Sequence, residues 1–151
     1  MSDCRLVEAT FNDCELLYQW ANDKEVRKNS FNHHLIVYED HIKWFEDKLR
    51  SDNTTIYIFK NIQESIGMLR LEKIDESTML INYSIDKKYR GQGYATKLLQ
   101  TIKKQQVNYI LVGKVKKDNI GSIRAFEKAG YFMKEELEYQ VFYSKEELKR
   151  E

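Results

Sequence analysis

The residues with the clearest chemical potential lie in the run INYSIDKKYRGQGYATKLL, residues 81–99. There a β-prone segment passes through Gly91 and Gly93 straight into an amphipathic helix. The first N–H groups of a helix lack intrahelical partners and sit at the positive end of its dipole, so they attract phosphate oxygens. Glycines at the turn free the backbone to approach a diphosphate closely, and the small Ala95 keeps the first turn narrow. A Gly-x-Gly pair is equally a tight left-handed turn that ends a strand. A second group of interest, Asn119-x-x-Ser122-x-x-x-Phe126-x-Lys128-x-Gly130-Tyr131, reads as a helix with Asn119 at its N-cap and Gly130 past its end.

These two groups need a framework, and the remaining periodicities supply one. Residues 5–10 alternate as a strand, and Asn12 or Asp13 is placed to cap a helix reaching Asn22 with Leu16, Leu17 and Trp20 on its apolar face. A polar loop, VRKNSFNHH (26–34), follows. Helical spacing resumes over Tyr38–Arg50 through Ile42, Phe45 and Leu49. The period then drops to two in segments 54–60, 65–74 and 77–85, an antiparallel meander with short polar turns. Segment 93–106 is helix, 109–115 strand, 119–129 helix, and two short strands fill 131–143. The order implies an α/β (α+β) mixed sheet of about seven strands with about four helices on both faces. Trp20, Trp44 and Phe45, at helical spacing, read as core.

Composition narrows the function classes. The 151 residues are 42% hydrophobic and 32% charged, which suits one domain spanning 1–151 with a real core. Twenty-five Lys and Arg against 24 Asp and Glu leave a net charge of +1, too weak a field to expect nucleic acid or an anionic membrane as partner. No apolar run approaches the roughly 20 residues of a membrane span, and MSDCRLVEAT lacks the basic start and apolar stretch of a signal peptide, so a cytoplasmic protein is expected. Cys4 and Cys14 have no companion ligands at metal spacing and read as reduced thiols, with no metal expected. The chain has no proline, no internal repeat and no low-complexity tract.

Arg90-x-x-Gly93-x-Ala95, followed by the Asn119–Tyr131 group, resembles the two halves of the acyl-CoA motif of the GNAT superfamily of N-acetyltransferases. The resemblance extends over the element order of essentially the whole chain. It implies a fold whose fourth and fifth strands splay to admit acetyl-CoA as cosubstrate. By this resemblance Tyr83, Ser84 and Ile85 face the pantetheine arm and thioester, and Arg90, Gly91, Gln92, Gly93, Tyr94, Ala95 and Thr96 surround the pyrophosphate. Asn119 contacts the pantetheine while also capping its helix, and Phe126 sits beside the thioester.

The N-terminal half, through Trp20-Ala-Asn-Asp, Val26–Asn32 and His41-Ile-Lys-Trp44-Phe45, resembles the members that acetylate the 4-amino group of nucleotide-linked deoxyamino sugars. That implies a sugar-nucleotide acceptor held by Arg27, Asn29, Ser30, Phe31 and Asn32, with Lys28 and the two histidines nearby. Protein N-termini, ribosomal proteins and polyamines are the alternative acceptors, although the loop offers bases where a polyamine would need acids. Sheet edges of this fold pair readily, which leaves a homodimer open.

Acetyl transfer requires a neutral amine, a donor for the developing oxyanion and a proton for the departing thiolate. The tyrosine and glutamate that many relatives use for acid and base are replaced here by Phe126 and Lys114. A non-catalytic acyl-CoA-binding module is therefore an alternative. The substitute candidates are His33, His34, Glu72 and Ser84, with Tyr131, Tyr139 and Tyr143 as further acids.

Overall fold

The computed structural model describes residues 3–146. Seven strands form one sheet: β1 (Arg5–Glu8), β2 (Thr54–Lys60), β3 (Ser65–Lys73), β4 (Thr78–Ile85), β5 (Ile110–Lys116), β6 (Phe132–Glu135) and β7 (Tyr139–Tyr143). Their spatial order is β1-β2-β3-β4-β5-β7-β6. The meander β1 to β4 is antiparallel, β4 and β5 are parallel, and β7 runs antiparallel to both β5 and β6.

Alternation along the strands sends successive side chains to opposite faces, and each face has its own helices. Ile56 and Ile58 of β2 pack with Cys14, Leu17 and Trp20 of α1 (Cys14–Ala21) and Phe45 of α3 (Tyr38–Arg50). On the other face Tyr57 and Phe59 join Leu69, Ile81 and Leu111 beneath Leu98, Leu99 and Ile102 of α4 (Tyr94–Gln105) and Ala125 and Phe126 of α5 (Ile120–Lys128).

The structure corrects the sequence reading in the N-terminal third. Strand β1 stops at Glu8, and a 3-10 turn over Phe11–Asp13 capped by Thr10 precedes α1. The N-cap position of α1 itself is Asp13, as expected, though its side chain does not cap the helix. The Thr10 hydroxyl accepts from Asn12 N (3.3 Å) while its own N–H donates to Asp13 Oδ2 (2.8 Å), closing a capping box. Part of the expected loop 26–34 is a fifth helix, α2 (Lys24–Asn29). It has no buried residue, so no apolar stripe announces it. Asp23 starts it by accepting from Glu25 N (2.9 Å) and Val26 N (3.2 Å).

His41 is buried between α1 and α3 and bonds Cys14 O at 3.0 Å. A carbonyl only accepts, so Nε2 carries the proton. Burial pushes the His41 pKa below its ordinary value, against the smaller opposing effect of that hydrogen bond. No helix among the described residues is long and apolar enough to cross a membrane.

Candidate active site

Strands β4 and β5 pair over only four positions, from Thr78↔Ile110 to Ile81↔Gly113. Beyond that point β4 stays with β3 through Ile85, and β5 stays with β7 through Lys116. The facing edges of Asn82–Ile85 and Lys114–Lys116 are left without a strand between them. A cleft of ≈ 690 Å³ opens in the wedge. Residues of α2 line it on one side of the sheet and residues of α5 on the other, so it runs through the sheet.

Two glycines fit the walls together, Gly113 at the apex and Gly67 on β3 opposite Ile85. A Cβ on Gly113 would stand 2.4 Å from Phe126 Cζ, and one on Gly67 would stand 2.3 Å from the Ser84 carbonyl oxygen. Each position must be bare for its neighbour to sit where it does.

At the far end of the cleft the chain leaves β4, makes a short 3-10 turn over Lys87–Tyr89 and enters α4. Gly91 (φ +74°) and Gly93 (φ +87°) both occupy the left-handed region. No side chain caps α4, so the N–H groups of Tyr94, Ala95 and Thr96 lack an intrahelical acceptor at the cleft wall. Backbone donors in this arrangement have the geometry to cradle an anion. Arg124 and Lys128, one helical turn apart on α5, also line the cleft and add positive charge. Lys128 belongs to the second sequence motif, whereas Arg124 was not expected at the site, although its i, i+4 spacing from Lys128 was visible.

Arg90 also lines the cleft, but its guanidinium is largely committed. Nε donates to Ile85 O (2.9 Å) and Nη2 to Asp23 Oδ1 (2.8 Å), fastening the end of β4 to the cap of α2. Burial pushes the Asp23 carboxyl up, but Arg90 and the two capping N–H groups outweigh it and hold the pKa below the usual aspartate value. Trp20 Nε1 reinforces the same corner by donating to Asp86 Oδ2 (2.8 Å). The Gln92 amide turns back to Lys88 O (3.2 Å) and does not line the cleft.

In the middle of the cleft Asn119 Oδ1 accepts from Ser122 N (3.3 Å), which caps α5. The Tyr83 hydroxyl reaches across from β4 to Ser122 Oγ (2.7 Å). Burial pushes the Tyr83 pKa up to about 12, against the lowering effect of that bond. Phe126 is 2% exposed, stacked on Phe142 (4.8 Å, 9°) and edge-on to Tyr131 (5.0 Å, 85°). The Tyr131 hydroxyl donates to Leu99 O (2.9 Å), so it faces the core.

The other side of the cleft is lined by Glu25, Val26, Lys28, Asn29, Ser30 and Phe31 together with Asn82, Ser84 and Lys114. Of the acceptor residues expected from the sequence, Asn29, Ser30 and Phe31 are therefore at the cleft, while Arg27 and Asn32 are not. Arg27 is a clamp: Nε donates to Ala21 O (2.7 Å), Nη1 to Asn32 O and His34 O (both 3.0 Å), and Nη2 to Ser30 Oγ (3.2 Å). Asn32 is spent within the loop, its Oδ1 accepting from His34 N (3.0 Å).

His33 and His34 are exposed and outside the cleft; His33 bonds Lys116. Glu72 is also outside it, paired with Lys48 (2.6 Å) and Arg70 (3.0 Å). Burial raises its pKa, but the two cations prevail and hold it below the ordinary glutamate value, so it is a poor base. Of the four substitute catalytic candidates, only Ser84 lines the cleft. Tyr139 meets Phe31 edge-on (5.9 Å, 86°) and lies under Lys114 (5.7 Å), behind the lining, and Tyr143 is likewise outside it.

The family model described as an acetyltransferase (GNAT) domain matches residues 4–131. No curated protein sequence matches the chain. Among solved structures, the spermidine N-acetyltransferase from Vibrio cholerae in complex with CoA and spermine superposes with a TM-score of 0.84. It shares 14% identity, with 95% of this chain and 94% of that one covered. The aminoglycoside acetyltransferase AAC(6')-Ib in complex with coenzyme A gives 0.78 at 19% identity over 91% and 93%. A ribosomal-protein α-N-acetyltransferase in complex with coenzyme A gives 0.78 at 16% over 95% and 94%. At these identities the likeness bears on the fold.

Proposed function

The chain belongs to the acetyltransferase (GNAT) domain family, and on that premise we propose that it transfers acetyl from acetyl-CoA to the primary amine of a small acceptor, the 4-amino group of a nucleotide-linked deoxyamino sugar. The observation that carries the transfer chemistry is the wedge between β4 and β5, open on both faces of the sheet and ending at an uncapped helix N-terminus. The three structural relatives named above were each solved with CoA, which supports the same cosubstrate here.

Each residue has a physical task in this reading. Backbone N–H groups from Gly91 to Thr96 bind the pyrophosphate, with Arg124 and Lys128 neutralising its charge. The free edge of β4 from Asn82 to Ile85 offers backbone groups to the pantetheine amides, and an N–H near Ile85 stabilises the developing oxyanion. The amine enters from the α2 side. Holding the two reactants in one channel supplies effective molarity of up to roughly 10⁵ M or more, which reduces the need for a dedicated base.

The charge on the acceptor side favours an anionic acceptor. Lys28, Lys114, Arg124 and Lys128 line the cleft with Glu25 and Asp118 as its carboxylates, so cations outnumber acids there, whereas spermine-like or aminoglycoside acceptors are polycations that require acids. Asn29 and Ser30 supply hydrogen-bonding groups, and Phe31, 61% exposed, offers a ring face to a base or sugar. The test is thiol release from acetyl-CoA against UDP- and dTDP-linked 4-amino-4,6-dideoxy sugars, with polyamines and N-terminal peptides alongside. Saturable turnover on one sugar nucleotide is expected; preferential turnover of a polyamine or peptide overturns the acceptor assignment.

A further inference from the structure

The cleft lacks a hydroxyl at position 126 but receives one from the opposite wall. Ile81 is the last β4 residue paired with β5, so Tyr83 is the first beyond the split whose side chain projects to the α5 face. The anion cradle lies past the C-terminal end of β4. A linear thioester held there by its phosphates and laid along the free edge of β4 carries its sulfur back toward the apex, where Tyr83 and Ser122 meet.

We propose that the Tyr83 hydroxyl protonates the CoA sulfur as the thioester is cleaved, with Ser122 relaying the replacement proton; this rests on the transferase reading above. The acceptor nitrogen forms the new C–N bond, the C–S bond breaks and its electron pair goes to sulfur. Sulfur takes the phenolic proton, the phenolate takes one from the Ser122 hydroxyl, and Ser122 takes one from water. The acceptor nitrogen releases one proton to solvent, so none is gained or lost overall.

The other phenols in reach are committed elsewhere. Tyr131 donates to Leu99 O. Tyr89 bonds Glu64 and, with Tyr94 at 5.7 Å, belongs to the phosphate end. Ser84 occupies the opposite face of β4, in register with Met68. Tyr83 also remains protonated throughout the neutral range because burial disfavours its phenolate. It therefore enters the reaction as a proton donor.

The experiment compares wild type with Tyr83→Phe, Ser122→Ala and Lys114→Gln, measuring steady-state kinetics, thermal stability, and the affinities of CoA and of desulfo-CoA, which lacks the sulfur. For Tyr83→Phe the expected loss is about 10²-fold or more in kcat with the KM for acetyl-CoA within about threefold. CoA affinity falls while desulfo-CoA affinity does not, a difference that a packing role would not produce. Ser122→Ala shows a smaller loss of kcat. Unchanged kcat in Tyr83→Phe, equal losses of CoA and desulfo-CoA, or a kcat collapse confined to Lys114→Gln each overturns the assignment. The sulfur comparison needs no acceptor, so it reads Tyr83 even without turnover, while absence of wild-type turnover on every amine counts against the transferase reading itself.

Discussion

Phe126→Tyr is the substitution that sequence comparison invites, since it returns a phenol to the place where the resemblance expects one. The packing argues that it will fail. Phe126 is 2% exposed, and its Cζ stands 2.4 Å from where a Cβ on Gly113 would be, so a hydroxyl on Cζ is aimed at the backbone of β5. Phe142 covers one ring face at 4.8 Å and Tyr131 meets the ring edge-on at 5.0 Å, which prevents a simple swing away. Overpacking of this kind costs about 1–3 kcal/mol, and a buried hydroxyl without a partner costs a similar amount. The expected destabilisation is therefore about 2–6 kcal/mol, a fall of roughly 4–24 °C in Tm for a chain of this length. Thermal unfolding by circular dichroism and kcat on the best acceptor read the two consequences together. A Tm within about 1 °C of wild type accompanied by a higher kcat would refute the packing argument and return the acid role to position 126.

Gly93→Asp strains a left-handed position (φ +87°) and should cost about 1–2 kcal/mol of stability. Its carboxylate, about 5 Å from a bound phosphate at an effective dielectric of about 20, adds about 3 kcal/mol of repulsion, roughly a 100-fold loss of CoA affinity by calorimetry. Acidification should weaken the fold in two stages, read as urea midpoints against pH. The lowered His41 pKa contributes stability that is complete above about pH 6.5 and is lost as pH falls through the folded value, so His41→Gln removes this first stage. The lowered Asp23 and Glu72 values contribute above about pH 4 and fail below it, and Asp23→Asn flattens that second limb. Arg27→Gln removes the three guanidinium bonds that tie Ser30, Asn32 and His34 to α2 and should raise the acceptor KM several-fold while CoA affinity stays unchanged.

Where a rule of local spacing governs an element, the sequence was sufficient. The meander β2–β4 was legible from its β-branched and aromatic runs between short polar turns, β2 reading as a continuous apolar run because helices cover both of its faces, and Tyr38–Arg50 carries an apolar stripe. Helix α2 was hidden because it buries nothing. It exists through the Asp23 cap and the Arg90 ion pair, whose partner lies 67 residues away. The glycines of the anion cradle were legible because their left-handed conformation restricts residue type.

The chemistry of the middle of the cleft was not legible. Residue type alone does not reveal that Glu72 is held by Lys48 and Arg70, that Arg27 is consumed by carbonyls, or that His33 and His34 face away from the wedge. The Tyr83–Ser122 pair joins residues 39 apart on different elements, and only the splay of β4 from β5 brings them together.

The central claim is that the wedge with its uncapped helix N-terminus is a CoA site. Isothermal titration of CoA into the wild-type protein and into Gly93→Asp tests it most directly. Saturable one-to-one binding by the wild type is expected, with a loss of roughly 100-fold in the variant while the variant remains folded. No binding by the wild type, or equal binding by both proteins, would contradict it.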